Sequence, residues 1–388
     1  MVSGPTTIDR APRSRLRGML EPAVISSASI LTLFALLLFF TWGRWGHLIV
    51  DTYRDPWVVF ELLSGKVLYR DIFYEYGFLP PYCLSMVARV FGDNIATFVS
   101  CGVAVTLLTA SALYLASRRF LTPAVSALVA LTFLAVFAFG RYTPNGIFNF
   151  IFPYSFASTF CAMFVTWGFH FFLRYLEANR TAHLYLWGLC VVLSLLSRVA
   201  IPAAVAACYG FIILVRLARH RDRRSLFMLL ALLLALAVTA LAYVAFLELT
   251  EATRGFHNSI VRHILFQRTS VFNRLISGTD DISRSALFMG VSLASHLVTV
   301  VVLAAGASLS LGGEGRDRPR RGRRVVGVML MAGAVGWSVY WPLGFLQYRC
   351  LPAVLAMGAL HSLYRVWRSS EPDRALASLA LYLVPLVM

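Results

Sequence analysis

The segment AVISSASILTLFALLLFFTWG (residues 23–43) has no charged side chain and is long enough to cross a bilayer as a helix. Directly beyond it, DTYRDPWVVFELLSGKVLYRDIFYEYGFLPPY (residues 51–82) crowds five carboxylates and several cations among aromatic rings. Similar apolar blocks recur along the chain, and these blocks decide the fold class. They lie at about 23–43, 94–116, 122–140, 151–173, 184–197, 199–215, 225–247, 285–311, 325–345, 351–366 and 375–388.

The composition supports the same fold class. The 388 residues are 59% hydrophobic and 14% charged, with a mean hydropathy of +0.72, whereas soluble domains carry about 25% charged residues. Long apolar runs, rather than short alternating ones, exclude a transmembrane β-barrel. The sequence therefore predicts an all-α, polytopic membrane protein with about 11 transmembrane helices in a single domain, residues 1–388.

The net charge of +17 reflects topology rather than nucleic-acid binding. All but one of the 35 cations are arginines, the exception being Lys66. They cluster in short segments between apolar blocks, as the positive-inside rule describes, so nucleic acid is excluded as a partner. We predict a bacterial cytoplasmic (inner) membrane protein whose N-terminus, residues 1–22, is cytoplasmic. The inside clusters are then Arg10–Arg17, Arg118/Arg119, Arg174/Arg180, 216–224, 316–324 and Arg365/Arg368/Arg374.

This orientation leaves two long loops on the outer side, residues 44–93 and 248–284, and long loops usually carry function. In the first, Asp55-Pro56 reads as a helix N-cap with proline at the first position, and Gly65 as the C-terminal glycine. A second helix is predicted from Pro80 to Gly92. We expect both helices to lie in the membrane interface, on either side of a polar connector.

The first outer loop holds the side chains that surface chemistry on a lipid phosphate would need. A carboxylate can accept a proton from a hydroxyl nucleophile, and two carboxylates that share a site can bind a divalent metal. Arginine and lysine can hold a phosphate. The alternative is that these acids and bases simply neutralise one another at the interface.

The second outer loop offers weaker candidates. His257 and His263 are six residues apart, which does not place them on one helical face, so zinc binding is not expected. The loop is either a solvated lid or a contact for phosphate or acceptor. The segment GRYTPNGIFNF, which contains Asn149, faces the same side and could bind sugar hydroxyls.

The motifs of the first outer loop resemble those of the GT-C superfamily of integral-membrane glycosyltransferases. The resemblance is to the branch with the aminoarabinose transferases, protein mannosyltransferases and Rgt-type sugar transferases. An acidic residue follows the first span in DTYRD, and LLSGKVLYRD (residues 62–71) comes next. GFLPPYCLSMVARVFG (residues 77–92) completes the loop. GLCVVLSLLSRVAIP (residues 188–202) and QYRCLP (residues 347–352) are similar to later elements.

The resemblance implies an inverting transfer from a polyprenyl-phosphate-linked sugar to a lipid, glycan or protein acceptor on the periplasmic face, with membrane lipids as further partners. By position, Asp51 would be the general base and Asp71, with Glu75 as the alternative, the second acidic group. Asp51 and Asp71 are also candidates to hold a divalent metal, the one cofactor considered. The donor-phosphate candidates are Arg70, Arg349, Arg54, Lys66 and Arg198. The acceptor or supporting candidates are Glu75, Asp55, Tyr74, His257 and His263.

Two rival functions remain open at this point. A lipid or solute transporter or flippase would place charges mid-span and break helices in paired positions, and no internal repeat is visible here. A non-catalytic scaffold would not need the acids of residues 51–75. Because family members are usually longer, the chain is either a fragment or a short member.

Overall fold

The structure is a computed structural model that describes residues 11–44, 52–140, 149–262, 265, 281–311, 325–330, 333, 351–368 and 372–387. Within these residues the chain is helical and forms no β-strand, apart from an isolated bridge between Leu68 and Ile72. The predicted all-α class is confirmed. The chain divides into two compact units that meet in sequence between Val261 and Arg262. The expectation of a single domain stays a prediction.

The first unit contains ten helices among the residues described. Helix α5 continues as a π-helical stretch over Phe133–Ala138, and α10 is followed by another over His257–Val261. The helices are α1 Ala11–Thr41, α2 Arg54–Leu63, α3 Leu79–Phe91, α4 Ile95–Ser117, α5 Pro123–Thr132, α6 Phe156–Ala178, α7 Thr181–Ser197, α8 Ala200–His220, α9 Arg223–Leu249 and α10 Thr253–Phe256.

Among the described residues, five helices of this unit are long and apolar enough to cross a membrane. They are Pro22–Thr41 within α1, α4, α6, α8 and α9, and two shorter apolar helices cover Pro123–Ala138 and Thr181–Ser197. The predicted blocks coincide with these helices to within a few residues. The exception is the block at 151–173, because helix α6 begins only at Phe156, after a non-helical segment.

The two short helices predicted in the first outer loop are present as α2 and α3. Gly65 and Gly92 follow them with φ values of +91° and +88°, a conformation that glycine adopts at little cost. Trp57 and Phe60 of α2 are half exposed, and Val90 and Phe91 of α3 are 74% and 71% exposed. Exposed apolar side chains on both helices fit the expectation that they lie in the interface.

The main core of this unit joins helices α1 to α6. Phe34, Phe98 and Phe156 are buried there, and the rings of Phe34 and Phe139 meet edge to face at 5.4 Å. The backbone of Gly102 in α4 packs so closely on residues 149–152 that an added Cβ would lie 2.0 Å from the Ile151 carbonyl oxygen. This close approach holds the segment that leads into α6.

Contacts between helix ends sort the turns of the unit onto two sides. On one side, Arg119 after α4 forms an ion pair with Glu177 of α6, and Arg224 of α9 donates a hydrogen bond to the Tyr175 carbonyl. On the other side, the 52–94 loop packs on the opposite ends of α6, α7 and α9. The ring of Phe78, for example, stacks on Phe246 near the end of α9 at 4.4 Å. The first outer loop therefore lies at the end of the bundle opposite to the arginine-rich turns.

The second unit contains α11 Ile282–Leu311, α12 Leu351–Arg368 and α13 Pro372–Val387. Helices α12 and α13 pack together, with the ring of Tyr382 against Gly358. The predicted block at 325–345 is described only at residues 325–330 and 333.

Candidate active site

Arg54 is the first residue of α2 and lies at the centre of a polar cluster. Its guanidinium donates a hydrogen bond from Nη1 to Glu75 Oε1 at 2.6 Å. It also lies over two tyrosine rings, 4.8 Å from the centroid of Tyr76 and 4.9 Å from that of Tyr154. The side chains of Arg54 and Glu75 are 18% and 17% exposed, so water only partly screens their attraction.

Asp55 lies directly below this cluster and is buried, with 1% of its surface exposed. Its Oδ2 accepts a hydrogen bond from the Phe156 backbone N–H at 2.6 Å, and its Oδ1 accepts one from the Tyr74 hydroxyl at 3.2 Å. The first N–H groups of a helix have no partner within the helix, so Asp55 supplies one for α6. Burial raises the pKa of the Asp55 carboxyl, although Arg54 and these hydrogen bonds oppose that shift.

The role predicted for Asp55 in its own helix is wrong. The N-cap residue of α2 is Tyr53, no side chain caps this helix, and Asp55 lies inside it. The expected motif assumed that the turn before Pro56 would be non-helical. Instead the helix begins at Arg54, two residues before Pro56, and the carboxylate is directed towards the start of α6. Asp55 thus caps a helix that begins 101 residues away in sequence.

Arg198 follows the last residue of α7, and its side chain reaches the same cluster from a distant part of the sequence. Its guanidinium lies 5.1 Å from the centroid of the Tyr76 ring, and Nη1 donates a hydrogen bond to Ser158 Oγ at 2.6 Å. Tyr76 is therefore within cation–π distance of two arginines, Arg54 and Arg198. No carboxylate of the described residues lies within ion-pair distance of Arg198.

The backbone of Gly77 fixes Tyr76 beside Arg198. Its N–H donates a hydrogen bond to the Ser197 carbonyl at 3.0 Å. A Cβ at this position would lie 2.0 Å from the Leu196 carbonyl oxygen, so only glycine fits between the loop and the end of α7. The contact joins the first outer loop to the residue immediately before Arg198.

A cavity of about 400 Å³ opens beside these side chains. Polar groups from three parts of the chain meet there, and Arg198 is the one charged residue among the described residues that line it. The lining residues are Tyr76, Phe137, Asn149, Phe150, Pro153, Tyr154, Ser155, Ser158, Thr159 and Arg198. An arginine beside hydroxyl, amide and aromatic groups is suited to a ligand that carries both a phosphate and a sugar.

Other candidates from the sequence form local pairs on the surface of the loop. Arg70 and Asp71 bind each other at 3.0 Å, and Lys66 pairs with Glu61. Asp71 Oδ2 also accepts a hydrogen bond from the Val67 N–H at 2.8 Å and so closes its own turn. Its pKa is lowered, chiefly by the hydrogen bond from Arg70. None of these side chains lines the cavity.

The remaining candidates add no further group to the cavity. His257 is exposed, in the π-helical stretch after α10, and does not line it. Asp51, His263 and Arg349 lie outside the described residues. In the part of the chain that the structure describes, no group of three or more His, Cys, Asp or Glu side chains could hold a metal ion. The donor set seen there does not fit a divalent metal, and the proposed pairing of Asp51 with Asp71 stays a prediction.

The structure thus brings together Arg54, Asp55, Tyr74, Glu75 and Arg198 of the candidates, and it adds three residues that sequence reasoning missed. Tyr76 had a signal, because it stands in the YEYG stretch between candidate charges. Tyr154 and Ser158 had none, since their roles depend on where the start of α6 packs.

The part of this geometry from Tyr76 onwards lies in a segment that matches a known family, whereas Arg54, Asp55, Tyr74 and Glu75 precede that segment. The model for the family described as dolichyl-phosphate-mannose-protein mannosyltransferase matches residues 76–243, which begin at Tyr76 and include Ser158 and Arg198. No curated protein and no solved structure matches the chain. The family match supports a multi-pass membrane glycosyltransferase, and it confirms the resemblance to the GT-C superfamily that the sequence motifs indicate.

Proposed function

We propose that the protein transfers a sugar from a polyprenyl-phosphate carrier to an acceptor hydroxyl on the outer face of a bacterial cytoplasmic membrane, with inversion at the sugar carbon. The observation that carries the proposal is the position of Arg198, at the edge of a cavity inside the family-matched segment, with no carboxylate partner among the described residues. A guanidinium in this setting suits a ligand phosphate.

The reaction is a single displacement. The acceptor oxygen forms a bond to the anomeric carbon as the bond from that carbon to the phosphate oxygen breaks, and the acceptor proton passes to a carboxylate. Negative charge grows on the departing phosphate, and a cation already in place stabilises it without reorganisation. Arg198 has this role in our proposal, and Ser158 and Tyr76 hold its guanidinium in position.

Position after the first span makes Asp51 the proposed general base. For the second acidic group, the geometry favours Glu75 over Asp71. Glu75 is part of the cluster at Tyr76 through Arg54, whereas the Asp71 carboxylate is bound by Arg70 and by its own turn. Arg54 would orient Glu75 rather than contact the phosphate, because its guanidinium is already shared between a carboxylate and two rings.

The test begins with a deletion strain, in which comparison of glycolipids and surface glycans with the parent identifies the missing product. Plasmid-borne wild type restores the product, and Arg198→Gln and Glu75→Gln are expected not to restore it. Lys66→Gln is the matched control, because Lys66 is an exposed cation of the same loop paired only with Glu61 among the described residues. Asp71→Asn tests the other acid directly.

Membranes from these strains then separate transfer from transport. A transferase converts the carrier-linked sugar to polyprenyl phosphate and a glycosylated acceptor, and both products must appear together. If the carrier-linked sugar is moved but never consumed, the proposal is wrong and a transporter is favoured. Normal product with Arg198→Gln and Glu75→Gln, at wild-type protein levels on immunoblots, would overturn the assignment of the site.

A further inference from the structure

A second concave surface lies between α7 and α9, with a volume of about 440 Å³. Its lining is almost entirely apolar and includes Leu189 and Val192 of α7 and Leu230 and Leu234 of α9. Leu189, Leu230 and Leu234 are 51%, 50% and 62% exposed, so these side chains face out of the bundle rather than into its core. On a helix that crosses a membrane, such a groove offers contact to a lipid acyl chain.

One end of this groove is basic. Tyr175 and Thr181 line that end, and the Arg224 guanidinium lies 5.0 Å from the centroid of the Tyr175 ring. Arg180 directly precedes Thr181, and Arg223 directly precedes Arg224; both Arg180 and Arg223 are exposed.

The acids nearest in sequence do not neutralise this end. Asp222 pairs with Arg216, and Glu177 pairs with Arg119. Within the described ranges, no carboxylate lies within ion-pair distance of Arg180 or Arg223. The groove is therefore apolar along its length and positively charged at one end, where Arg180 and Arg223 lie. This pattern is complementary to an anionic amphiphile, whose headgroup would lie at the arginines.

The groove is separate from the proposed active site. The basic end lies at Thr181, where α7 begins, whereas the cavity lies at Arg198, just beyond its end. A helix of 17 residues spans about 25 Å, so the basic end of the groove and the cavity lie at opposite ends of α7. The donor that reacts at the cavity cannot place its phosphate both there and at the basic end of the groove, so the groove would bind a different molecule.

We propose that this groove binds an anionic glycerophospholipid of the surrounding bilayer, with its phosphate against Arg180, Arg223 and Arg224 and one acyl chain between α7 and α9. A zwitterionic lipid has the same chains, but its ammonium group cancels the attraction to the three arginines. The lipid would fill the outward-facing side of the α7–α9 contact and so stabilise the packing of these helices.

Lipid binding can be measured directly on the purified protein by native mass spectrometry, with phosphatidylglycerol and phosphatidylcholine of identical chains as probes. We expect phosphatidylglycerol to bind more tightly. A basic residue at the membrane surface contributes about a fivefold change in affinity for an anionic lipid. Arg180→Gln and Arg223→Gln should therefore each weaken the binding of phosphatidylglycerol by about that factor. Arg118→Gln is the matched control, a half-buried arginine of a neighbouring turn that donates to the Leu121 carbonyl and does not line the groove.

A second variant tests the groove rather than the charge. A Cβ at Gly188 would approach nothing closer than the Ala231 carbonyl oxygen, at 3.9 Å, so Gly188→Leu adds its side chain to the groove without a backbone clash. It should reduce binding of both lipids alike. Equal affinity for the two lipids in the wild type, or phosphatidylglycerol binding that survives Gly188→Leu and the arginine variants, would overturn the proposal. Neither outcome depends on glycosyl transfer.

Discussion

The Asp55 carboxylate accepts two hydrogen bonds from different parts of the chain, and substitutions at this residue test what they contribute to stability. Its carboxylate accepts hydrogen bonds from the Phe156 N–H and the Tyr74 hydroxyl, and both donors would be buried without a partner in Asp55→Ala. We expect that substitution to cost about 1 to 3 kcal/mol of stability. Asp55→Asn keeps an oxygen for the Phe156 N–H and presents an amide to the Tyr74 oxygen, so it should cost less than Asp55→Ala. Thermal unfolding in detergent measures both.

The difference in stability between the wild type and Asp55→Asn should depend on pH in a direction that the pKa shift of Asp55 defines. Burial raises the pKa of Asp55 in the folded state, so the folded protein binds this proton more tightly than the unfolded chain. The contribution of this group to stability therefore increases as the pH falls through the raised pKa and decreases as the pH rises. Asp55→Asn has no such proton. The stability of the wild type relative to Asp55→Asn should increase as the pH falls from above the raised pKa to the ordinary carboxyl value of 3.8, and the opposite trend would contradict the burial argument.

Tyr76 offers a test of the arrangement around Arg198. Tyr76→Leu removes the ring that lies within 4.8 Å and 5.1 Å of two guanidiniums, and an interaction of this kind contributes about 0.5 to 2 kcal/mol. We expect a matching rise in KM for the carrier-linked sugar, by a factor of roughly 2 to 30. Tyr76→Phe retains the ring and serves as the control. Equal kinetics for Tyr76→Leu and Tyr76→Phe would show that the ring does not position the arginines.

At the scale of elements, the ends of α2 and α3 could be predicted from the sequence, whereas their partners could not. Gly65 and Gly92 stop these helices by a local backbone preference, which a short window of sequence contains. The hydrogen bond from Phe156 to Asp55 joins residues about a hundred positions apart, and no local pattern encodes it. For the same reason, the motif order indicated the loop that holds the site, while Ser158 and Tyr154 were found only from the packing of α6.

The docking of the first outer loop on α7 predicts a severe effect from a small substitution. In Gly77→Ala the new Cβ would meet the Leu196 and Ser197 backbone, and the hydrogen bond from Gly77 to Ser197 would lengthen or break. Because Tyr76 and Arg198 flank this contact, we expect transfer to fall at least tenfold while the amount of inserted protein changes little. Gly65→Ala is the control: its φ of +91° adds a backbone strain that Gly77 does not have, but nothing lies within 4 Å of the added Cβ. Equal activity of the two variants would show that the docking is not required.

At the scale of the whole molecule, the sequence and the structure together predict which end of the bundle faces the cytoplasm. Contacts within the first unit place the turns at 118–122, 178–181 and 220–223 at one end, and the 52–94 loop and Arg198 at the other. These contacts fix the two ends of the bundle, and the end that faces the cytoplasm follows from the sequence. The distribution of arginine supplies that direction, because dense clusters of basic residues stay inside. The contacts between helix ends therefore identify the two ends of the bundle, and the arginine clusters identify the cytoplasmic end.

This leads to a prediction about labelling in whole cells. Single cysteines at Arg70 and at Arg221, both exposed, are introduced into a variant that lacks the six native cysteines. A membrane-impermeant maleimide should label Arg70→Cys in intact cells, and Arg221→Cys only after the membrane has been permeabilised. The inverse pattern would place the cavity in the cytosol, where a carrier-linked sugar presented on the outer face could not reach Arg198. Labelling of both positions in intact cells would contradict the placement of these loops on opposite sides of a membrane.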